Sequence, residues 1–579
     1  MRKSLASLPY IAVAVGLALS CWIFANRVPS LFRSSHVFAA ARVKQQSALR
    51  AATSLPQVSA SLVLPTRKLS HPRYYGVIGY VGDVATYHYN VARQGFTQFE
   101  TVLNLSNVNA NTFGLVGFFP VDGKVDAQPL YLYKVPVGPN LHNILYVATE
   151  NDSVYAFDAD HGQQLWKASA LLSGETPSDD LGCPLITPTI GITATPVIDR
   201  QKGVLYLVAM TKDSYGNYHQ RLHVLDLITG AERFGAPMEI TASYPGAGDG
   251  SDDGWVRFDP TQYVARASLL EYGGKIYIAF TSHCDHRPYT GWLMAYNAQP
   301  LQQASVLNLT PNGDSGSIWM SGAGLAADGQ GNIYLLTANG TFDTTLDNNS
   351  MPINGDYGNA FVKISTSPQL AVTDYFTMYD TVEESDEDMD LGSGGAVVLP
   401  DLYDTQGAIH HLAVGAGKDG NIYVVNRDDM GKFDPDNDNI YQEIPGALPQ
   451  GVWGAPAYHN NTVYFGGVDD ALKAFSITNA TLSTSPTSQT QTIFEYPGTT
   501  PSVSSNFGSN AIVWTIENGN LAVLHAYDAT NLASELYNSN QAGSRDQFGP
   551  GNKFITPVVV NGKVFVGTQT GVAEFGLLP

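Results

Sequence analysis

One pattern of short apolar strands recurs from about residue 127 to the end of the chain. Each copy opens with a strand that contains a small residue and often Pro, continues with a Gly-x-apolar-Tyr-apolar strand, and ends in a strand with an apolar-Asp or apolar-Asn step. The first copy comprises Ala127–Tyr131, Ile144–Val147 and Val154–Asp158. Short alternating strands between Gly, Asn and Asp turns are typical of β-hairpins. The pattern therefore predicts an all-β protein built from hairpin repeats.

The number of copies predicts a β-propeller of eight four-stranded blades. A closed ring of this kind leaves few exposed strand edges. The last copy, which begins at Thr556, has no clear fourth strand of its own. We expect the N-terminal strand Phe113–Val121 to supply it and to close the ring.

The composition is typical of a large folded core. Of the 579 residues, 44% are apolar and only 14% are charged, and the net charge is −21. A strongly acidic chain does not provide the basic face that phosphate contacts need. We therefore expect no nucleic-acid partner, and no docking of the propeller on an anionic membrane surface.

The first 26 residues predict a signal peptide or a signal anchor. Arg2 and Lys3 form a basic start, and Tyr10–Phe24 is almost wholly apolar, a length that suits a signal peptide and is marginal for a membrane span. Residues 27–80 are rich in Ser, Pro, Ala and Arg and predict a flexible linker, so the propeller covers residues 81–579. We expect an exported protein that is periplasmic, secreted or anchored to the outer face of the membrane. It contacts the membrane only through the N-terminal segment, if that segment is not cleaved.

The cysteine content limits the covalent chemistry. Cys21 lies in the N-terminal apolar segment, so the mature chain has at most one disulfide, between Cys183 and Cys284. No CxxC or CxxCH sequence is present, and no zinc ribbon or attached c-type haem is encoded.

A second motif follows the third strand of the first copy. Ala156, Asp158, Gly162 and Trp166 resemble the Ala-x-Asp-x-x-x-Gly-x-x-x-Trp docking motif of propellers related to pyrroloquinoline quinone (PQQ) dehydrogenases, in which the Trp of one blade stacks on the next blade. A degenerate copy with Phe in place of Trp spans residues 226–234. Together with the repeat, these motifs make residues 85–579 similar to the PQQ-like propeller family, and in particular to its exported bacterial members.

The resemblance implies a site for PQQ and calcium in the central funnel. Asp388 and Asp390 lie where the family carries its catalytic base and a metal-ligating aspartate, and Asn339 resembles its calcium-ligating Asn. Asp343 and Asp347 follow Asn339 and offer further hard oxygen ligands. Residues 383–390 are also a run rich in carboxylates, which fits a solvated loop as well as a site.

Four other residues are expected to contact the quinone. Lys418 and Arg427 belong to a segment that looks like the one whose Lys or Arg contacts PQQ in the family. Trp319 lies near the position of the Trp that stacks under the quinone, and Trp453 is a second candidate platform. Either Trp fits blade-to-blade packing equally well.

Two departures from the family leave other functions open. The adjacent cysteine pair that covers the quinone is absent, and no Glu occurs where the family has a second calcium ligand. The alternatives are a non-catalytic scaffold that binds protein or glycan, and a non-redox hydrolase on the same fold. An oxidoreductase requires that Trp319, Asn339, Lys418 and either Asp388 or Asp390 converge on one pocket, whereas a scaffold leaves them scattered. The run His283–His286 is expected to be a surface loop, because neighbouring side chains diverge.

Overall fold

The computed structural model describes residues 82–579. The predicted signal segment and the predicted linker, residues 1–26 and 27–80, lie outside the described residues. The described chain forms eight antiparallel blades in a ring, as the repeat predicts. No helix in residues 82–579 has the length and apolar character of a membrane span.

Each of the first four blades has four consecutive main strands. Blade 1 contains Leu130–Val137, Asn140–Ala148, Ser153–Asp158 and Gln164–Ser169. Blade 2 contains Val197–Asp199, Val204–Lys212, Tyr218–Asp226 and Met238–Glu239. Blade 3 contains Leu270–Tyr272, Lys275–Ser282, Trp292–Ala298 and Leu301–Asn308. Blade 4 contains Ala326–Ala327, Asn332–Leu336, Phe361–Ser365 and Ala371–Phe376.

The other four blades repeat this arrangement, and the last one takes its outer strand from the N-terminal side. Blade 5 contains Val397–Val398, Leu412–Ala416, Ile422–Asn426 and Gln442–Ile444. Blade 6 contains Ala457–His459, Thr462–Gly466, Asp470–Thr478 and Ser488–Phe494. Blade 7 contains Ser502–Asn506, Ser509–Glu517, Val523–Asp528 and Glu535–Asn538. Blade 8 contains Val558–Val560, Lys563–Gly567, Gly571–Leu577 and Phe113–Pro120.

The remaining elements are short. Additional strands are Phe96–Thr97, Thr176–Asp179, Thr189–Ile190, Ser243–Pro245, Trp255–Arg257, Tyr263–Val264, Leu402–Tyr403, Ile409–His410 and Thr481–Leu482. The helical elements are an α-helix at Thr381–Asp386 and 3-10 turns at Met320–Gly322, Leu391–Ser393 and Ser539–Asp546. All of them lie in the connections between or within blades.

The ring is closed by the strand that the sequence predicts. Phe113–Pro120 pairs antiparallel with Gly571–Leu577, so residues from opposite ends of the propeller share one blade. Phe113 is fully buried and packs on Trp514 of blade 7 and on Phe575 of blade 8. The predicted closure is confirmed.

Recurring positions of the repeat connect neighbouring blades. The Trp166 indole donates to the carbonyl oxygen of Leu227 at 3.0 Å and lies against Gly230 of blade 2. Tyr146, from the Gly-x-apolar-Tyr pattern, donates to the same carbonyl at 3.1 Å. The docking motif therefore connects blade 1 to blade 2, as the resemblance implies.

A segment of residues 84–95, here called the axial segment, contacts all eight blades. Its backbone is hydrogen bonded to the first strands of blades 1, 2, 5, 6 and 7, and to Ala327 of blade 4. Arg93 donates to the carbonyl of Leu269, next to the first strand of blade 3, and Tyr89 accepts a hydrogen bond from Val559 of blade 8. The segment therefore lies at the centre of the ring and connects the blades to one another.

Candidate functional site

A two-lobed cavity opens at one end of the ring. The acidic lobe has a volume of about 280 Å³ and is lined by Asp285, Asn339, Asp388, Asp390 and Lys418, among others. The basic lobe has a volume of about 430 Å³, and its charged lining residues include Lys124, Arg266 and Lys553. Trp319, Tyr496 and Cys284 are among the residues that border both lobes. The second volume lies within the range of small-molecule sites.

The topology of the blades explains why these residues meet. Each lining segment lies just before the first strand of a blade or just after its second strand. In an antiparallel blade these two points are at the same end of the sheet. Asn339 follows the second strand of blade 4, Lys418 follows the second strand of blade 5, and Asp390 precedes the first strand of blade 5.

Lys418 is at the centre of the ionic group in the acidic lobe. Its ammonium donates to Asp388 Oδ1, which also accepts from Asn339 Nδ2 at 2.6 Å. The same ammonium lies 2.7 Å from Asp390 Oδ1 in an ion pair that is not aligned as a hydrogen bond. The backbone holds this arrangement, because Lys418 N donates to the carbonyl oxygen of Asp390 at 3.0 Å.

The two aspartates have different environments. The Asp390 side chain is 4% exposed, whereas that of Asp388 is 73% exposed. Burial raises the pKa of Asp390 to about 6, against the opposing effect of the Lys418 ammonium. Burial alone would lower the pKa of Lys418, but the charges of Asp390 and Asp388 reverse this and raise it. The lobe therefore holds a persistent cation beside a carboxyl group that titrates near neutral pH.

Asp285 was not singled out from the sequence as a residue of this lobe. Its Oδ1 accepts from Ser282 Oγ at 2.7 Å and from Tyr289 OH at 3.1 Å, and the residue lines the acidic lobe. The neighbouring side chains do diverge as expected, since His283 contacts the carbonyl of Asp180 at 2.7 Å and Cys284 forms a disulfide with Cys183. In the sequence, the one feature that marks Asp285 is its place in the polar run Ser282–His286.

Aromatic side chains form the walls between the lobes. Trp453 and Tyr496 meet edge to face at 5.7 Å, and Trp319 meets Phe554 edge to face at 5.2 Å. Trp319 and Trp453 both line the acidic lobe, and Trp319 also lines the basic lobe. Both predicted platforms therefore face the cavity.

Arg427 is not brought into the cavity. It is 3% exposed, and its guanidinium donates to the carbonyl of Leu412 at 3.2 Å and pairs with Asp328 of blade 4 at 3.5 Å. The strand Ile422–Asn426 separates it from Lys418, so the two residues lie at opposite ends of one strand. Arg427 connects blades 4 and 5 in this structure.

The oxygen donors near Lys418 match the chemistry of a hard cation. Asn339 Oδ1 is buried without a hydrogen-bond partner, and Asp285, Asp388 and Asp390 line the same lobe. Carboxylate and amide oxygens are ligands that calcium prefers. Within residues 82–579, no three His, Cys, Asp or Glu residues are close enough together to hold a metal ion. Asp343 and Asp347 accept hydrogen bonds from nearby backbone amides instead.

Comparison with known proteins identifies the fold. No family model matches the chain, and no curated protein matches it in sequence. Among solved structures, the quinohemoprotein alcohol dehydrogenase from Comamonas testosteroni matches with a TM-score of 0.57 and 14% identity, over 86% of this chain and 80% of that chain. The quinohemoprotein alcohol dehydrogenase ADHIIG from Pseudomonas putida HK5 matches with a TM-score of 0.56 and 13% identity, over 87% and 82%. A europium-containing methanol dehydrogenase matches with a TM-score of 0.57 and 11% identity, over 86% and 98%.

These matches confirm the predicted resemblance at the level of the fold. The chain is an eight-bladed propeller of the type found in PQQ dehydrogenases. At such low identity, a shared fold does not determine the activity.

Proposed function

We propose that the protein is a quinoprotein-type oxidoreductase that binds PQQ, or a quinone of the same chemistry, in the two-lobed cavity and oxidises an alcohol. The observation that carries the proposal is the convergence of Asn339, Asp388, Asp390, Lys418 and the two tryptophans on one lobe. A propeller that only presents an outer face to a protein or glycan has no reason to assemble these residues. The convergence therefore favours a small-molecule ligand over a scaffold.

The cavity suits a flat polycarboxylic quinone. Trp319 borders both lobes and offers an aromatic surface for stacking. Lys418 provides a cation on one side, where Asp388 and Asp390 pair with it, and Arg266 and Lys553 provide cations on the other. The anionic groups of a ligand would therefore meet excess positive charge in the basic lobe.

Calcium would be held by Asn339 and Asp390, with Asp285 as a further acidic ligand from the opposite wall. The unpaired Asn339 Oδ1 supports this assignment. Asp285 would take the place of the calcium-ligating Glu that the family has and this chain lacks. When bound, PQQ would supply the two-electron acceptor, and calcium would supply polarisation of oxygen groups.

The residues of this chain would position the alcohol and remove its proton. Asp390 is suited to be the general base, because its pKa of about 6 keeps it ionised at neutral pH while it remains basic enough to accept a proton. Lys418 holds the Asp390 carboxylate in place and offers a hydrogen-bond donor to a ligand oxygen. The exposed Asp388 orients Lys418 and Asn339 through its shared Oδ1.

An oxidising location agrees with this function. The Cys183–Cys284 disulfide is typical of proteins outside the cytoplasm, and the N-terminal pattern predicts export. We therefore propose an exported enzyme with a small-molecule partner and no nucleic-acid partner.

Calorimetric titration of the full chain with PQQ, with and without calcium, tests the proposal. We expect calcium-dependent binding that is lost in Lys418→Ala and retained in Lys167→Ala, which removes an exposed ion pair of blade 1. Binding would then be followed by a dye-linked screen of alcohols. No heat of binding at high micromolar PQQ in either condition would reject the proposal.

A further inference from the structure

Arg266 is a buried cation without a protein counter-ion. It is 4% exposed and lines the basic lobe, just before the first strand of blade 3. In residues 82–579 its guanidinium makes no hydrogen bond and no ion pair. It lies beside Gly322 and over the ring of Phe554, at 5.2 Å from the ring centroid. A guanidinium has five N–H donors and stays charged at any relevant pH.

The other buried arginines of residues 82–579 all have hydrogen-bond or ion-pair partners. Arg93 donates to three backbone carbonyl oxygens and a threonine hydroxyl. Arg221 pairs with two glutamates. Arg427 pairs with an aspartate and donates to carbonyls. The nitrogen atoms of the Arg266 guanidinium are not among the buried unpaired polar atoms of residues 82–579, so they are accessible from the lobe. The contrast therefore indicates that the donors of Arg266 are open to a ligand.

The surroundings of Arg266 define the chemistry of its partner. Lys553 is a second cation on the lobe, with its ammonium 4.8 Å from the ring of Tyr496 and no ion pair in the described chain. Lys124 is neutralised by Asp126 at 2.9 Å. The lobe therefore carries excess positive charge, although the whole chain has a net charge of −21.

The rest of the lobe combines polar side chains with an apolar surface. Trp319, Phe554, Ile186 and Val264 are part of its wall. A small inorganic anion would leave this surface in water. An organic acid with an aromatic or aliphatic body would cover it and place its carboxylate on the guanidinium, which binds carboxylates in a two-pronged geometry.

We propose that the basic lobe is a carboxylate-binding site, with Arg266 as the counter-ion and Lys553 as a secondary cation, and that its ligand is an organic acid with an apolar body. The site does not depend on the proposed oxidoreductase activity. Its carboxylate belongs either to the quinone itself or to a separate acid, such as a hydroxy-acid substrate whose alcohol faces Asp390.

The test is calorimetric titration of the full chain, without quinone, using 2-naphthoate and its neutral counterpart 2-naphthamide. We expect 2-naphthoate to bind at least about tenfold more tightly than the amide, because only the acid forms a charge-assisted pair. Arg266→Met should abolish this preference, and Arg266→Lys should restore part of it, since Lys supplies a point charge without the planar fork. Arg233→Gln, which changes an exposed arginine of blade 2, should have no effect.

Lys553 provides a test that does not disturb the core, because its side chain is exposed. Lys553→Gln should weaken 2-naphthoate binding by about threefold to tenfold while the melting temperature stays unchanged. Equal binding of acid and amide, or unchanged acid binding in a folded Arg266 variant, would overturn the proposal.

Competition identifies the source of the carboxylate. If saturating 2-naphthoate weakens PQQ binding in proportion to its own affinity, the quinone supplies the carboxylate. If PQQ affinity is unaffected, the lobe takes a separate acid. Binding of 2-naphthoate through Arg266 without any PQQ binding would support this site and reject the oxidoreductase proposal, so the two proposals fail separately.

Discussion

Cys183 and Cys284 form a disulfide across the wall of the cavity, between residues 101 positions apart in the sequence. Cys183 belongs to the long connection before blade 2, and Cys284 follows the second strand of blade 3. The bridge fixes the loop that presents Asp285 to the acidic lobe. The covalent cross-link of this propeller is therefore also part of its candidate site.

Removal of the bridge should affect both stability and ligand binding. Cys183→Ser with Cys284→Ser should lower the free energy of unfolding by up to about 5 kcal/mol in the chain-entropy view of a loop of this length. It should also weaken binding in the cavity, because the Asp285 loop loses its anchor. Thermal melting and PQQ or 2-naphthoate titration measure the two effects. As a control, added dithiothreitol should not change the melting temperature of the double variant. Unchanged ligand binding in the double variant would show that other contacts hold the Asp285 loop.

Asp390→Asn should separate catalysis from binding. The amide keeps the shape of the side chain and an oxygen ligand for calcium but cannot accept a proton, so the rate at saturating calcium and PQQ should fall by about 10²–10⁴-fold. Asp388→Asn should cost less, because Asp388 is exposed and only orients its neighbours. In the unaltered protein, kcat/KM should rise with pH as the Asp390 carboxyl ionises. Its pKa of about 6 applies to the metal-free site, and bound calcium would move the rise to lower pH. A pH profile that is flat from about pH 3 to about pH 8 would exclude Asp390 as the base.

The protein should be most stable in mildly acidic solution. Burial raises the pKa of several carboxyls in the folded state, to about 6 for Asp356, Asp390 and Asp419 and to about 8 for Glu384. At these four carboxyls the folded protein binds protons more tightly than the unfolded chain, so their contribution to the free energy of unfolding falls as the pH rises from about 4 to about 8. Burial lowers the pKa of His88 to about 3 and that of His459 to about 4, and these two groups act in the opposite direction below about pH 6.5. Asp158, whose pKa is lowered to about 2 by hydrogen bonds that outweigh its burial, has the opposite effect below pH 4.

Melting temperatures between pH 3 and pH 9 check this profile. Glu384→Gln should reduce the fall in melting temperature between pH 6 and pH 8, because the amide needs no proton to remain neutral. Glu387→Gln, which alters an exposed residue of the same run, should leave the profile unchanged. A melting temperature that rises steadily from pH 5 to pH 8 would contradict the prediction.

The sequence predicts the blades because their stability is local. The Gly-x-apolar-Tyr pattern specifies a turn and a buried strand within a few residues, and tyrosines such as Tyr146 reach the next blade in a fixed direction. The axial segment contains no copy of the repeat, so the pattern does not predict its place in the ring. Its contacts are mainly to backbone amides and carbonyls. Every residue type offers such groups, so the sequences of the partner strands do not reveal these contacts.

The site was predicted in part, for a similar reason. Asn339, Asp390 and Lys418 occur in motifs that resemble family segments, and the blade topology brings them together. Arg427 and Lys418 belong to one segment that resembles the quinone-contacting segment of the family, but an intervening strand places the two residues apart. Asp285 and Arg266 lie outside any motif. Their roles depend on packing between blades and on the charges that face them, which a single sequence does not display.

The contact between Trp166 and Gly230 offers a direct test of blade docking. Gly230 has φ +69°, and a Cβ added there would lie 2.7 Å from the Trp166 ring. Gly230→Ala should therefore combine a backbone cost of about 1–2 kcal/mol with a steric one. Gly216→Ala is a matched control, because Gly216 has φ +89° and open space around the added Cβ.

If docking causes the difference, the two glycine variants should differ only while the indole is present. Gly230→Ala should lower the melting temperature more than Gly216→Ala does. In a Trp166→Ala background, where the ring is absent, the two should become equal, as expected for residues in direct contact. Equal effects of the two glycine variants in the unaltered protein would mean that blade 2 accommodates the added Cβ beside the indole without loss of stability. The Trp–Gly contact would then not hold the blades together.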